Sequence, residues 1–217
     1  MIAHPCIGGH GARESPGRER RRPALGPPGC LSSRRALPIL APMPPDLTRL
    51  PLRGKGGAFH VVVESPRGST VKLKYEPALG TFTVSRPLTR GLRYPFDWGF
   101  VPSTRGQDGD PLDALVYWDV PTWPGVVLPC RALGVLEVEQ KKKGGRGRER
   151  NDRLLMVPVS AVRAEHLRSH EDLSRREREE LEHFFLAVVA FADKDARMLG
   201  WEGPAAAERM LEQHALP

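Results

Sequence analysis

From Ala58 onward the chain reads as a succession of short extended segments. Phe59, Val61 and Val63 fall on one side of an extended backbone, and His60, Val62 and Glu64 fall on the other. Residues 71–76 and 81–86 flank Pro77-Ala78-Leu79-Gly80, a glycine-containing connection that predicts a hairpin. Residues 114–118, 126–139 and 154–159 are further strands, the second of them following the turn Pro124-Gly125. Between the last two lies 141–150, a glycine-rich basic hairpin loop. After Val159 the period becomes helical. Ser174 and Glu177 form a capping box, and Leu181, Phe184, Phe185 and Val188 make an apolar stripe behind it. Gly200 and Gly203-Pro204 close that region, and 204–213 reads as a second short helix with proline in its first turn. Short strands followed by helices predict an α+β, mainly β fold: a small barrel with two C-terminal helices packed outside it.

The first 57 residues break this pattern. Residues 1–42 hold seven Arg and two Glu, seven Pro and six Gly, with no Lys, no aromatic side chain and no strand or helix period. Such a segment buries too little apolar surface to offset chain entropy, so 1–57 is expected to be a disordered leader and 58–217 the folded domain. A transit peptide fits this composition, but a start placed upstream of the true one at Met43 is the simpler reading; the mass of native protein separates the two.

Composition limits the rest. No apolar run approaches the ~20 residues of a membrane helix, so no membrane span is expected. Cys6, Cys30 and Cys130 are few and widely spaced, which suits a reducing cytoplasm better than a disulfide or zinc framework. The chain carries 33 Lys+Arg against 26 Asp+Glu, a net +7. Residues 1–42 supply seven minus two, or +5, and 141–150 supplies six minus one, again +5, leaving −3 for the remainder. The surplus therefore sits in the leader and one loop. That loop holds no aromatic residue on which a base could stack, so a nucleic-acid-binding barrel is a weak reading.

The densest chemistry is Asp108-Gly109-Asp110-Pro111-Leu112-Asp113, with three carboxylates in six residues. Their mutual repulsion is a standing cost unless cations sit among them, and hard cations such as Mg²⁺ favour such oxygen ligands. An EF-hand is excluded, because Asp113 stands where its glycine belongs. Lys72 and Lys74 share one face of a strand, Arg86 ends the partner strand, and Tyr94 opens a rigid turn before the acidic loop. Carboxylates for metal beside cations for phosphate suit metal-assisted phosphoryl transfer to water.

The acidic hexapeptide, together with 64–69, Lys72, Leu79-Gly80, Arg86, Tyr94-Pro95, 97–102, Gly134-Val135-Leu136, 151–154 and Val157-Pro158, resembles the soluble family I inorganic pyrophosphatases over residues 58–213. The resemblance implies a five-stranded OB-type barrel, a pyrophosphate substrate, Mg²⁺ (or Mn²⁺) as cofactor, and a homo-oligomer, hexameric in many prokaryotic members. It further implies that Asp108 and Asp113, with Asn151, bind the metals, that Asp110 is the general base, and that Lys72, Arg86, Tyr94 and Arg153 hold phosphoryl groups. By the same resemblance, Glu64 is expected to order metal-bound water from behind.

Several positions depart from the family pattern. Asn151 stands at a metal-binding Asp, with Asp152 and Glu139 as candidates to restore its charge. Gln140 replaces another Asp, Lys74 replaces a Glu, Arg153 replaces a Lys, and Trp98 replaces a common Tyr. Val188 and Val189 stand where the helix normally offers a Tyr and a Lys to phosphate, and neither can donate a hydrogen bond. These changes imply an attenuated enzyme or a shifted substrate, and they leave a non-catalytic phosphate- or pyrophosphate-binding regulator on the same fold as the alternative. His166 and His170 are read as surface residues, and His183 as a structural histidine.

Overall fold

A computed structural model of the chain describes residues 45–142 and 144–217. The expectation of disorder for the first 44 residues lies outside the described residues. Residues 45–57 belong to the folded body rather than to a leader. Their two 3₁₀ turns, Leu47–Arg49 and Lys55–Gly57, are tied down where the His60 N–H donates to the Leu52 carbonyl (2.9 Å) and Ser103 N–H to that of Thr48 (2.7 Å).

The strands are β1 (Phe59–Ser65), β2 (Val71–Glu76), β3 (Thr81–Pro87), β4 (Asp97–Phe100), β5 (Asp113–Val116), β6 (Val127–Lys141), β7 (Arg148–Arg150), β8 (Arg153–Pro158) and β9 (Arg197–Glu202). The helices are α1 (Arg175–Val189) and α2 (Pro204–Gln213). β1 pairs with β4, β4 with β5, β5 with β8, β8 with β6, and β6 returns to β1, so five strands close a ring. β7 and β9 extend the long strand β6, and β2–β3 form a separate two-stranded sheet.

Three strands escape the sequence reading. β4 looks like a turn because of its Asp-Trp-Gly order, yet all four residues are buried. Gly99 is required there, since a Cβ would lie 1.9 Å from the Val62 carbonyl oxygen of the neighbouring strand. Asp97, fully buried, accepts hydrogen bonds from Arg67 N–H (2.7 Å) and the Thr122 hydroxyl (2.7 Å), which makes a strand carboxylate tolerable. β7 hides in the basic loop, and β9 is half-exposed and interrupted by Gly200.

Successive residues of the ring strands feed two apolar clusters. Leu115, Leu155 and Val157 pack with Leu181, Phe184 and Phe185 of α1, while Ala114, Leu154 and Met156 pack with Ala207 and Leu211 of α2. Strands buried on both faces read as continuous apolar runs, which is the pattern of residues 154–157. Fully burying a side chain such as Leu211 contributes about 1.5–3 kcal/mol. The Ser174–Glu177 capping box is present in both directions, with bonds of 3.2 and 2.8 Å, and sets where α1 begins.

The histidines differ from expectation. His170 is buried and stacks on Trp201 with centroids 5.6 Å apart, while His183 is exposed, as is His166.

Candidate active site

One cleft of about 690 Å³ collects the chemistry-bearing residues. The two-residue alternation of β2 sends Lys72 and Lys74 to the same side, and Arg86 sits opposite Lys72 in the β2–β3 pairing. A bulge in that pairing turns Ser85 and Arg86 toward the cleft as well. The acidic loop runs into β5 and delivers Asp108, Asp110 and Asp113, with Gly109 at φ +86° allowing the tight bend between the first two. Asn151 and Arg153 enter from the start of β8, whose Arg153 is in register with Asp113. Tyr94 is buried at the cleft wall, its ring against Trp98 and Phe184. Of the residues expected at the site, only Glu64 does not line the cleft; it is buried beneath it and accepts a hydrogen bond from Tyr75 N–H (2.8 Å).

Two of the three carboxylates, Asp110 and Asp113, are paired with the protein's own cations. Lys74 Nζ lies 2.8 Å from Asp110 Oδ2, with both side chains about half exposed (46% and 57%). Such an exposed pair adds at most ~1 kcal/mol of stability, so its effect is to fix position. The Arg153–Asp113 pair is different. At 2.6 Å, with side-chain exposures of 10% and 20%, its loss leaves a charge nearly cut off from water, a cost of about 3–5 kcal/mol. The same guanidinium also donates to the Asn151 side-chain oxygen. Arg153 is therefore committed to the acidic loop, and its capacity for phosphate is what remains of its five donors.

Burial, then the charge of Asp113, raises the Asp108 carboxyl above its usual range. Burial works against the Lys74 ammonium, but the hydrogen bond and charge of Asp110 outweigh it and hold the proton more tightly. The Tyr94 phenol is pushed well up, first by burial, so it stays a neutral donor.

Neither candidate for restoring the charge missing at Asn151 does so. Asp152 accepts from Val138 N–H (2.7 Å) and pairs with Arg150, and Glu139 pairs with Arg148. Among the described residues no three His, Cys, Asp or Glu side chains stand together as a metal nest. The oxygen set facing the cleft from Asp108, Asp113 and Asn151 is nonetheless the hard-donor chemistry that a Mg²⁺ ion takes.

The sequence reading missed three residues of the cleft. Glu149, inside the basic loop, stands opposite Gln140 and accepts from its amide (3.1 Å), returning a carboxylate to the place where Gln140 lacks one. Asp193 and Lys194 arrive from the turn after α1. No periodic signal marks them; only the order Asp193-Lys194-Asp195 between a helix and a strand hints at opposite orientations. Val188 and Val189 do line the cleft, as an apolar wall. The Trp98 indole N–H is buried there without a partner.

A closed five-stranded β ring whose mouth carries carboxylates, lysines and arginines on one cleft defines a phosphate-handling enzyme. The chain belongs to the inorganic pyrophosphatase family, whose profile matches residues 61–216. It is 34% identical over 168 residues to the inorganic pyrophosphatase of Synechocystis sp., covering 77% of this chain and 96% of that one. It is 38% identical over 156 residues to that of Streptomyces coelicolor, covering 71% and 92%. Among solved structures, the inorganic pyrophosphatase of Thermus thermophilus superposes with a TM-score of 0.71 at 34% identity, covering 78% of this chain and 97% of that one. The regulator reading gains no support from these likenesses. No described helix is long and apolar enough to cross a membrane.

Glu64 gives a prediction with a definite sign. Burial, against the Tyr75 hydrogen bond, pushes its carboxyl up to about 7 from 4.5. The folded chain therefore holds a proton that the unfolded chain releases between those values. Stability from this group is greatest below about pH 4.5, falls as pH rises to about 7, and is flat above. Glu64→Gln is expected to remove that fall and, in chelator at about pH 8, to raise the unfolding free energy by on the order of 3 kcal/mol relative to wild type. Urea unfolding at about pH 5 and about pH 8 measures it; equal pH slopes for both proteins contradict the assignment.

Proposed function

We propose that this chain catalyses the Mg²⁺-dependent hydrolysis of inorganic pyrophosphate to two phosphates. The observation that carries the reading is the meeting of Asp108, Asp110 and Asp113 with Lys72, Arg86 and Tyr94 on one cleft. Pyrophosphate is nearly all anionic oxygen, so positioned cations and donors supply most of the stabilisation of its transition state. Lys72, Arg86 and the Tyr94 hydroxyl bind phosphoryl oxygens, and Arg153 adds the N–H groups it does not spend on Asp113. Asp108, Asp113 and Asn151 would hold the metal, with Mn²⁺ as a substitute. When bound, the ion neutralises substrate oxygens and makes water a better acid. Glu64, beneath the cleft, orients water at that centre.

Asp110 is the general base. It takes a proton from the attacking water as a new oxygen–phosphorus bond forms and the bridging bond breaks, and the electron pair leaves with the second phosphate. Lys72 and Arg86 offset the charge that collects there. Lys74, 2.8 Å from Asp110, keeps the base in one place. With Asn151 uncharged and Val188 and Val189 apolar, slow turnover is in keeping with this site.

Exposed Leu186 on α1, Phe191 after it and Leu199 on β9 are large apolar side chains facing water, which supports a homo-oligomer. The buried free thiol of Cys130 supports a cytoplasmic protein.

Purified protein with Mg²⁺ is expected to release phosphate from pyrophosphate, and Asp110→Asn to lower kcat by about 10²–10⁴-fold, the usual contribution of a general base. No release from wild type across Mg²⁺, Mn²⁺ and pH would contradict the proposal. Light scattering is expected to give a whole multiple of the chain mass; a single-chain mass contradicts the oligomer.

A further inference from the structure

Lys194 is a half-buried cleft cation with no role so far; Lys142 lines the cleft too, but from the exposed basic hairpin. It lines the same cleft as Lys72 and Arg153, and among the described residues it makes no ion pair. Burial first, then the like charges of Lys72 and Arg153, draw its ammonium down from the usual lysine range, with Asp113 and Asp108 offsetting only part of that. A partly buried ammonium whose nearby cations outweigh its nearby carboxylates gains from an anion shared with those cations.

Its two neighbours in sequence are held away from it. Lys141 Nζ contacts both carboxylate oxygens of Asp193 at 2.9 Å. Arg148 donates to the Asp195 carboxylate and to its carbonyl, each at 2.6 Å. Lys141 N–H also donates to the Lys194 carbonyl (2.6 Å), and Asp195 is bent into the left-handed region at φ +40°. Lys141 and Arg148 are the two stems of the basic hairpin. They pin the acids on either side of Lys194, so that neither Asp193 nor Asp195 can neutralise the ammonium between them.

We propose that Lys194 is the residue that binds a phosphoryl group of the substrate on the α1 side of the cleft, and that the basic hairpin serves to aim it there. The wall beside it, Val188 and Val189, offers no donor, so this lysine is the half-buried cation next to that wall. The inference rests on the pyrophosphate reading.

Calorimetric titration with imidodiphosphate, a non-hydrolysable analogue, in the presence of Mg²⁺ tests it. Lys194→Gln is expected to weaken Kd about 10–100-fold, the usual loss for a charge-assisted hydrogen bond. KM for pyrophosphate should rise with it, and Lys194→Arg should recover most of the loss. Arg148→Gln is expected to weaken binding about 3–10-fold, and adding it to Lys194→Gln should cost little more, because both act through one contact. Wild-type affinity in Lys194→Gln overturns the proposal, and full additivity of the two changes overturns the aiming role. Thermal unfolding of each variant reports whether the fold is intact, and Lys194→Arg carries the test if the Gln variant fails to fold. Wild type that neither binds imidodiphosphate nor hydrolyses pyrophosphate instead overturns the reading beneath.

Discussion

The carboxylates of Asp108, Asp110 and Asp113 repel one another, and the way this repulsion is relieved organises the site. Side-chain cations reach in from elements far apart in sequence: Lys74 from β2 to Asp110, and Arg153 from β8 to Asp113. The parallel β5–β8 pairing puts Asp113 and Arg153 side by side, and closure of the ring through β6 and β1 keeps that pairing in place. The ring thus holds together a charge arrangement that no short peptide could keep. Its nearly buried Arg153–Asp113 pair gives rigidity, and its half-exposed Lys74–Asp110 pair gives orientation with little stability attached.

Much of this was legible in the chain. Alternation gave β1, β2, β3 and the common face of Lys72 and Lys74; the capping box gave α1 its start; the acidic loop announced itself by composition. What was illegible depended on contacts across the fold. Asp97 and Gly99 look like turn residues until Val62 is seen against Gly99 and the donors are seen around Asp97. The basic loop reads only as a glycine-rich hairpin connection because nothing in its sequence says that Glu149 faces the cleft or that Arg148 meets Asp195. Residues 45–57 looked like leader because proline and glycine mask the few bonds that anchor them.

The electrostatics also change the meaning of the net charge. The basic loop is a structural clamp as much as a surface feature: Lys141, Arg148 and Arg150 each meet a carboxylate. The cleft keeps its cations close to its carboxylates and carries an uncharged Asn151 among them, so metal must compete with lysine and arginine for the same oxygens. This competition, together with the apolar wall of Val188 and Val189, is the physical ground for the proposal of slow turnover.

A crystal structure with Mn²⁺ and imidodiphosphate tests the central claim most directly, because anomalous scattering places the metal independently of the protein. Mn²⁺ is expected against oxygens of Asp108, Asp113 and Asn151, with the phosphoryl groups on Lys72, Arg86 and Tyr94. Metal and analogue bound outside this cleft, or the analogue bound with the acidic loop empty of metal, would contradict it.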